Sequence, residues 1–236
     1  MSSTKVKKIP LYSEKPYDYD WNRKLKNHPQ TYENLMWLAH FLLKREFKDV
    51  QYYGLENVPM YGGFILAANH ANGFDPITIT TGFGSRRQMW FMSKEEFFHA
   101  FYIRWLLLFF NGFPVKRGEA DRESLNFAIR VLEEGYGLVI FPQGTRDRQR
   151  KRPEPESASS GVALIAREAK VPVLPVSVHL SSDLNDSHPK CIIRYGELIP
   201  YEELGFTEGK RRSKEVKAAT NLIMTKIGEL WDKDQM

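Results

Sequence analysis

The sequence predicts an α/β fold in which a mainly parallel central sheet is flanked by helices. Short apolar runs typical of buried strands, such as GFILAA at 63–68 and GLVIF at 137–141, alternate with longer segments whose apolar residues recur at helical spacing. Alternation of strands with helices favours parallel pairing. A chain of 236 residues with 42% hydrophobic content suits one domain with a substantial core, and no second full domain is expected.

The N-terminal part of the chain is predicted to precede this domain. Residues 1–30 lack the long apolar run of a secretory signal and are predicted to be a partly disordered extension that stays in the protein. Residues 31–49 are predicted to form an amphipathic helix with a basic end. This helix packs on the core in one interpretation and lies in a membrane interface in the other. Its apolar positions are Leu35, Trp37, Leu38, Phe41 and Leu42.

Residues 50–236 show the alternation of strands and helices. The spacing of apolar residues predicts the type of each element, and Gly and Pro residues predict where it ends. After the strand at 63–68, the predicted order is a short helix or turn at 76–84, a strand at 88–93, a helix at 94–110, a short strand at 111–118, a helix at 121–135 stopped by Gly135, a strand at 137–141, a polar loop at 142–160, a helix at 161–170, strands at 171–178 and 191–197, and a closing amphipathic helix at 212–231.

Charge and cysteine content narrow the function classes. The net charge of +5 and the pI of about 9.1 fit an anionic membrane surface or phosphorylated substrates at least as well as nucleic acid. No recognisable nucleic-acid motif is present, so no nucleic-acid partner is expected. The single cysteine, Cys191, excludes an intramolecular disulfide, and its strand-like setting predicts a small buried hydrophobe. The sequence contains no uninterrupted apolar run of about 20 residues, so no transmembrane span is predicted.

Polar residues gather where predicted strands end. Asn69, His70 and Asp75 follow the first strand directly, in a loop that contains Gly and Pro. A His and an Asp at this spacing are weak evidence taken alone, because a hydrogen-bonded structural histidine is the default interpretation. Three further stretches have the same kind of placement, at strands or strand ends. The four stretches are NHANGFD at 69–75, GFPVKRG at 112–118, FPQGTR at 141–146 and VPVLPV at 171–176.

In order and spacing, these stretches resemble the four motif blocks of the glycerolipid acyltransferases, the lysophospholipid acyltransferases related to 1-acylglycerol-3-phosphate acyltransferase. The resemblance covers residues 50–200 and implies that 50–236 is an acyltransferase domain. It implies an enzyme that moves a fatty acyl group from acyl-CoA or acyl carrier protein to a lysophospholipid hydroxyl, with 1-acylglycerol-3-phosphate as the favoured acceptor. No cofactor is expected beyond that acyl thioester co-substrate.

The chemistry of His70 and Asp75 agrees with this resemblance. Acyl transfer to an alcohol needs a base that is neutral near pH 7, and an imidazole is suited to that task. A carboxylate that binds the other ring nitrogen fixes the tautomer and stabilises the imidazolium that forms. Asp75 reaches His70 if ANGF folds back as a tight turn, which Asn72 and Gly73 favour. Because the activated hydroxyl belongs to the lipid, no acyl-enzyme is expected.

The remaining predicted site residues lie in the substrate-binding blocks. Arg117 and Arg146 are predicted to bind the phosphate of the acceptor, because an arginine fork matches phosphate oxygens. Gly144 lets the backbone approach a ligand, and Thr145 is predicted to hydrogen-bond the turn. Asn69 and Gln143 complete the predicted substrate-binding set.

The sequence departs from the family pattern in two places. Gln143 stands where the family usually has the Glu of FPEGTR, so the pocket loses a negative charge. The lysine that many members carry before the next helix is missing from SASSG, which ends at Gly161. Both departures bear on the identity of the acceptor more than on acyl transfer itself.

Alternatives remain open at this stage. The same chemistry on another lipid alcohol or a glycolipid is the second hypothesis, and a lipid-binding protein without turnover is the third, although binding alone would not need His70 with Asp75. A metal site is not expected, because no further ligands stand at recognisable spacing. The aromatic segment around 97–110 is either a buried central helix, or a wall of an acyl tunnel or lipid-contacting surface. We expect a monotopic enzyme on the cytoplasmic face of an anionic membrane.

Overall fold

The structure is a computed structural model that describes residues 17–25, 29–116, 121–181, 185–207, 209 and 213–234. These residues form one seven-stranded sheet in the order β1-β7-β6-β2-β5-β3-β4. All neighbouring strands pair in parallel except β6 and β7, which are antiparallel, so the predicted mainly parallel sheet is confirmed. The strands are β1 Asp49–Tyr53, β2 Phe64–Ala68, β3 Met89–Lys94, β4 Gly112–Val115, β5 Gly137–Ile140, β6 Val173–Leu180 and β7 Lys190–Tyr195.

Helices cover both faces of the sheet. Most of the buried apolar side chains of α4, α5 and α6 belong to one core cluster, whereas α1 and α2 contribute to the cluster on the other face. Gly135 adopts a positive φ of 84° directly after α4, as its predicted role as a helix stop requires. The helices are α1 Pro29–Glu46, α2 Asp75–Thr81, α3 Phe101–Phe109, α4 Arg122–Glu133, α5 Gly161–Ala169 and α6 Ser213–Asp232.

The edge strand β1 was not among the predicted elements. Its residues alternate between exposed and half-buried positions, and none of them is fully buried. Because the strand carries no continuous apolar run, the sequence shows no strong strand signal there. It joins the sheet by pairing in parallel with β7.

The predicted helix at 94–110 is divided in two. Glu95–His99 forms a short 3-10 turn, Ala100 is extended with φ −87° and ψ 116°, and α3 begins at Phe101. Phe98 is fully buried against Tyr17, with stacked rings 5.8 Å apart, whereas no residue of α3 is buried. Because of this break, the 3-10 turn places Phe98 in the core, whereas the side chains of α3 remain partly or fully exposed. The interpretation of this segment as a fully buried central helix is therefore wrong.

Helix α1 has one apolar face that packs on the core and another that is exposed. Met36, Ala39 and Leu43 are buried, so the helix packs on the core, while Trp37 and Phe41 point outward with 74% and 51% of their surface exposed. The side chain of Leu35 lies outside the described part of the chain. None of the described helices combines the length and the apolar character that crossing a membrane requires.

Part of the predicted N-terminal extension lies on the core. Tyr19 is only 3% exposed and packs edge-on against Phe127 of α4, with ring centroids 5.5 Å apart. Residues 1–16 lie outside the described residues, so the predicted disorder of the extension stays a prediction there. Cys191 is buried in β7, which confirms its predicted place as a small core residue.

Candidate active site

The candidate site lies where two adjacent parallel strands end. Strands β2 and β5 pair side by side, with Ala67 opposite Ile140, so the loops that follow them meet at one edge of the sheet. We call residues 69–74 the His70 loop and residues 141–152 the Arg146 loop. The backbone N–H of Asp147 donates to the carbonyl oxygen of His70 at 2.7 Å, which joins the two loops directly. The sequence predicted that both stretches follow strands, and the structure shows that they meet.

His70 and Asp75 form the predicted pair. The distance from His70 Nδ1 to Asp75 Oδ2 is 2.8 Å, and Asp75 is fully buried as the first residue of α2. The same carboxylate oxygen accepts hydrogen bonds from the backbone N–H groups of Ala71 and Asn72 at 2.7 and 2.8 Å. Asn72 Oδ1 accepts from the N–H of Phe74 at 2.9 Å, which closes the predicted tight turn.

Burial dominates the electrostatics of Asp75. It raises the pKa of the carboxyl group, because the charged form is poorly solvated, and the hydrogen bonds from His70 and from the two backbone N–H groups offset part of that effect. Asp75 Oδ1 is buried and has no hydrogen-bond partner in the described part of the protein. The carboxylate therefore depends on its Oδ2 contacts, and its strongest side-chain partner is the imidazole.

The ring of His70 is held on a second side. Phe141 stacks against it with centroids 4.2 Å apart and an interplanar angle of 22°. The His70 side chain is 14% exposed, so the ring reaches the surface of the site. Because a carboxylate binds Nδ1, the proton of a neutral imidazole resides there and Nε2 is left as an acceptor. No described residue forms a hydrogen bond with Nε2. This arrangement suits a general base.

Phe141 is the contact that the sequence analysis missed. The residue begins the FPQGTR stretch and was given no role. Its position directly before the predicted substrate-binding residues was the only available signal, since ring stacking across two loops leaves no periodic pattern in the sequence.

Asn69 and Gln143 make backbone contacts in the structure. Asn69 Nδ2 donates to the carbonyl oxygen of Val178 at 2.8 Å and Asn69 Oδ1 accepts from the N–H of Val178 at 2.7 Å, so the side chain joins the end of β2 to β6. Gln143 Oε1 accepts from the N–H of His70 at 3.0 Å. Both residues thus hold the His70 loop in place, and their contact with substrate stays a prediction.

The Arg146 loop brings a cation close to His70. Gly144 turns the chain with a positive φ of 69°, and its N–H donates to the carbonyl oxygen of Phe141 at 2.9 Å. Arg146 Nη1 lies 3.2 Å from the position that a Cβ on Gly73 would occupy, so the guanidinium reaches the His70 loop. Arg146 and Thr145 are exposed, and the predicted hydrogen bond of Thr145 to the turn stays a prediction.

Arg117 lies outside the described residues, so its predicted phosphate contact stays a prediction. The strand before it, β4, ends beside a cavity of about 220 Å³ that Lys116 helps to line. The described lining of this cavity also carries four carboxylates, which disfavour a phosphate there. They belong to Asp18, Glu95, Asp121 and Glu123.

Comparison with known proteins identifies the family. A family model described as Acyltransferase matches residues 49–179, which is more than half of the chain. The chain belongs to the acyltransferase family. The match spans His70, Asp75 and the Arg146 loop, and it begins at β1. The protein is therefore an enzyme of acyl transfer, as the motif resemblance implied.

Individual relatives agree with the family assignment. The 1-acyl-sn-glycerol-3-phosphate acyltransferase of Bacillus subtilis is 30% identical over 79% of this chain and 91% of its own length. The Streptococcus pneumoniae enzyme of the same name is 28% identical over 84% of this chain and 72% of its own length. The crystal structure of PlsC, the 1-acyl-sn-glycerophosphate acyltransferase of Thermotoga maritima, shares the fold with a TM-score of 0.64 and 24% identity, and the match covers 86% of this chain and 79% of that one.

Proposed function

We propose that this acyltransferase moves a fatty acyl group from acyl-CoA or acyl carrier protein to the free hydroxyl of a lysophospholipid, with 1-acylglycerol-3-phosphate as the acceptor. The observation that carries the proposal is the 2.8 Å contact of His70 Nδ1 with buried Asp75, which leaves Nε2 as the ring acceptor at the surface of the site. The names of the Bacillus and Streptococcus relatives support the choice of acceptor.

The proposed reaction needs no covalent enzyme intermediate. His70 Nε2 removes the proton of the lipid hydroxyl while the hydroxyl oxygen attacks the thioester carbonyl. The new ester C–O bond forms, the C–S bond breaks, and the departing thiolate takes the proton back from the imidazolium. Asp75 stabilises the imidazolium between these two steps, because a negative charge beside Nδ1 favours the protonated ring.

Arg146 is the described residue that we assign to the acceptor phosphate. Its guanidinium lies over Gly73 in the His70 loop and is exposed, so a phosphate bound to it would lie beside the catalytic pair. Gln143 does not require a different acceptor, because its oxygen is used by the backbone of His70 and a carboxylate oxygen could accept the same bond.

An acceptor panel tests the proposed function. Wild type is expected to acylate 1-acylglycerol-3-phosphate in preference to a monoacylglycerol with the same chain. Arg146→Ala is expected to lower kcat/KM for the phosphorylated acceptor by about 10- to 100-fold, because charge-assisted hydrogen bonds are lost, with little change for the neutral one. Arg148→Ala removes an exposed charge of the same loop and serves as the matched control. Equal losses on both acceptors in Arg146→Ala would remove its assignment to phosphate.

An exposed aromatic surface supports membrane association. It includes side chains of α1 and of α3, two helices that meet where Met36 and Ala39 of α1 pack against Phe109 and Phe110 at the end of α3. Large apolar side chains exposed in such numbers are typical of an interaction surface. We call this surface the aromatic patch, and it consists of Trp37, Phe41, Phe101, Tyr102 and Trp105, which are 74%, 51%, 63%, 79% and 61% exposed.

We assign the aromatic patch to the interface of an anionic membrane, with the enzyme bound as a monotopic protein on the cytoplasmic face. Tryptophan and tyrosine rings suit the interface because one end of each ring is apolar and the other is polar. Lys44 and Arg45 in the last turn of α1 add positive charge near the same helix. This placement gives the His70 site access to lysolipids within the bilayer.

Removal of the patch is expected to weaken membrane binding. Trp37→Ser combined with Trp105→Ser should lower the partition coefficient onto phosphatidylglycerol-containing vesicles by about 100-fold, because two large apolar side chains no longer leave water. Vesicle co-sedimentation measures this change. Tyr61→Ser is the control, since Tyr61 is 90% exposed but precedes β2, at the sheet end opposite the His70 loop. Unchanged partitioning of the double variant would contradict the assignment.

A further inference from the structure

A hydrogen bond joins the last residue of α1 to the His70 loop. Asn72 Nδ2 donates to Glu46 Oε1 at 2.9 Å, across 26 residues of sequence. Neither residue belongs to the predicted catalytic or substrate-binding set. The contact is between an amide and a carboxylate, and bonds to a charged acceptor are stronger than bonds between neutral groups.

Asn72 stands at the centre of the loop that presents His70. Its backbone N–H donates to Asp75 Oδ2 at 2.8 Å, and its side-chain oxygen accepts from the N–H of Phe74 at 2.9 Å. The Glu46 contact takes up the amide nitrogen, so both ends of the Asn72 side chain are held. Because the side chain and the N–H belong to one residue, Glu46 restrains the donor that binds the Asp75 carboxylate.

Glu46 is itself fixed by the core. Leu43 lies one turn before Glu46 in α1 and is 4% exposed, and Phe47 directly follows Glu46 and is 2% exposed. The carbonyl oxygen of Leu43 accepts a hydrogen bond from the N–H of Phe47 at 2.8 Å. The carboxylate therefore projects from the end of a helix that packs on the core. A restraint of this kind holds a reacting group in its productive geometry, where a displacement of about 1 Å lowers rates by about 100-fold.

We propose that Glu46 is a positioning residue for acyl transfer, which anchors the His70 loop to α1 through Asn72. The proposal rests on the proposed function of His70 as general base. Since α1 also carries Trp37 and Phe41 of the aromatic patch, this hydrogen bond links the helix that carries part of the patch to the loop that carries His70.

Three variants test the proposal in the full chain. Glu46→Ala is expected to lower kcat on vesicle-borne 1-acylglycerol-3-phosphate by about 10- to 100-fold with little change in KM, because the loop is displaced and the binding groups remain. Glu46→Gln keeps an acceptor oxygen for Asn72 and is expected to recover most of that loss. Glu56→Ala removes an exposed carboxylate elsewhere and is expected to match wild type. Glu46→Ala with wild-type kcat, or an equal loss in Glu46→Gln, would overturn the proposal.

Amide hydrogen exchange supplies a readout that does not depend on activity. The N–H groups of Ala71 and Asn72 are expected to exchange at least tenfold faster in Glu46→Ala than in wild type or Glu56→Ala, because both donate to Asp75 within the restrained loop. If wild type transfers no acyl group but this difference is found, the proposed function fails and the anchoring of the loop stands. If exchange at the two amides is the same in Glu46→Ala and wild type, the anchoring fails whatever the activity.

Discussion

His70→Ala is expected to lower kcat for acyl transfer by about 10² to 10⁴, the range that general-base catalysis contributes. The imidazole is the described group that both reaches the surface of the site and is bound on Nδ1 by a carboxylate. Without it, the lipid hydroxyl must lose its proton to water while it attacks the thioester. Transfer of a labelled acyl group from acyl-CoA to 1-acylglycerol-3-phosphate measures the loss, and the same assay with acyl carrier protein identifies the donor.

The control for this variant is His188→Ala. His188 is exposed, and its hydrogen bonds within the described residues are with Asp186 and Ser187, so its replacement is expected to leave kcat unchanged. Vesicle binding by His70→Ala is expected to match wild type, because the aromatic patch is intact. Full activity in His70→Ala would end its assignment as the base, and with it the proposed reaction.

Asp75→Asn is expected to separate activity from stability. The amide cannot stabilise the imidazolium by charge, and it allows the wrong tautomer of His70, so kcat should fall by about 10³ to 10⁴. The free energy of unfolding is expected to stay the same or to rise. Because burial raises the pKa of Asp75, ionising this carboxyl in the folded state opposes folding, and a neutral side chain of the same shape avoids that cost.

The raised pKa of Asp75 also predicts how the stability of the folded protein changes with pH. A carboxyl whose pKa is higher in the folded than in the unfolded state adds stability below its unfolded pKa, and that stability is lost as the pH rises through the folded pKa. Wild type should therefore lose stability across that window relative to Asp75→Asn. Thermal unfolding as a function of pH measures the difference, with Asp49→Asn on the exposed edge strand as the control. A strongly destabilised Asp75→Asn at neutral pH would contradict the account of the buried charge.

The sequence correctly predicted the contact between His70 and Asp75. His70 and Asp75 are five residues apart, and Asn72 and Gly73 form the turn between them, so their contact depends on a short segment whose residues favour that turn. The alternation of strands and helices likewise predicted the mainly parallel sheet. Both inferences follow from side chains close in sequence or from a regular repeat.

Elements without such a local signal were not predicted. β1 lacks a continuous apolar run, and the antiparallel pairing of β6 with β7 is set by how the chain returns after β6. The break at Ala100 depends on the burial of Phe98 beside Tyr17, a residue far away in sequence. In each case the outcome depends on which distant residues pack together, and no repeat in the sequence reports that.

The sequence by itself determined that this protein is an α/β enzyme with an imidazole and a carboxylate after its first central strand, because motif spacing and apolar periodicity are properties of the chain. Only the tertiary structure decided what holds that pair in place. Gln143 binds the backbone of His70, Phe141 stacks on its ring, and Glu46 restrains the loop from 26 residues away. These contacts join separate segments, and their geometry exists only once the sheet has brought the segments together.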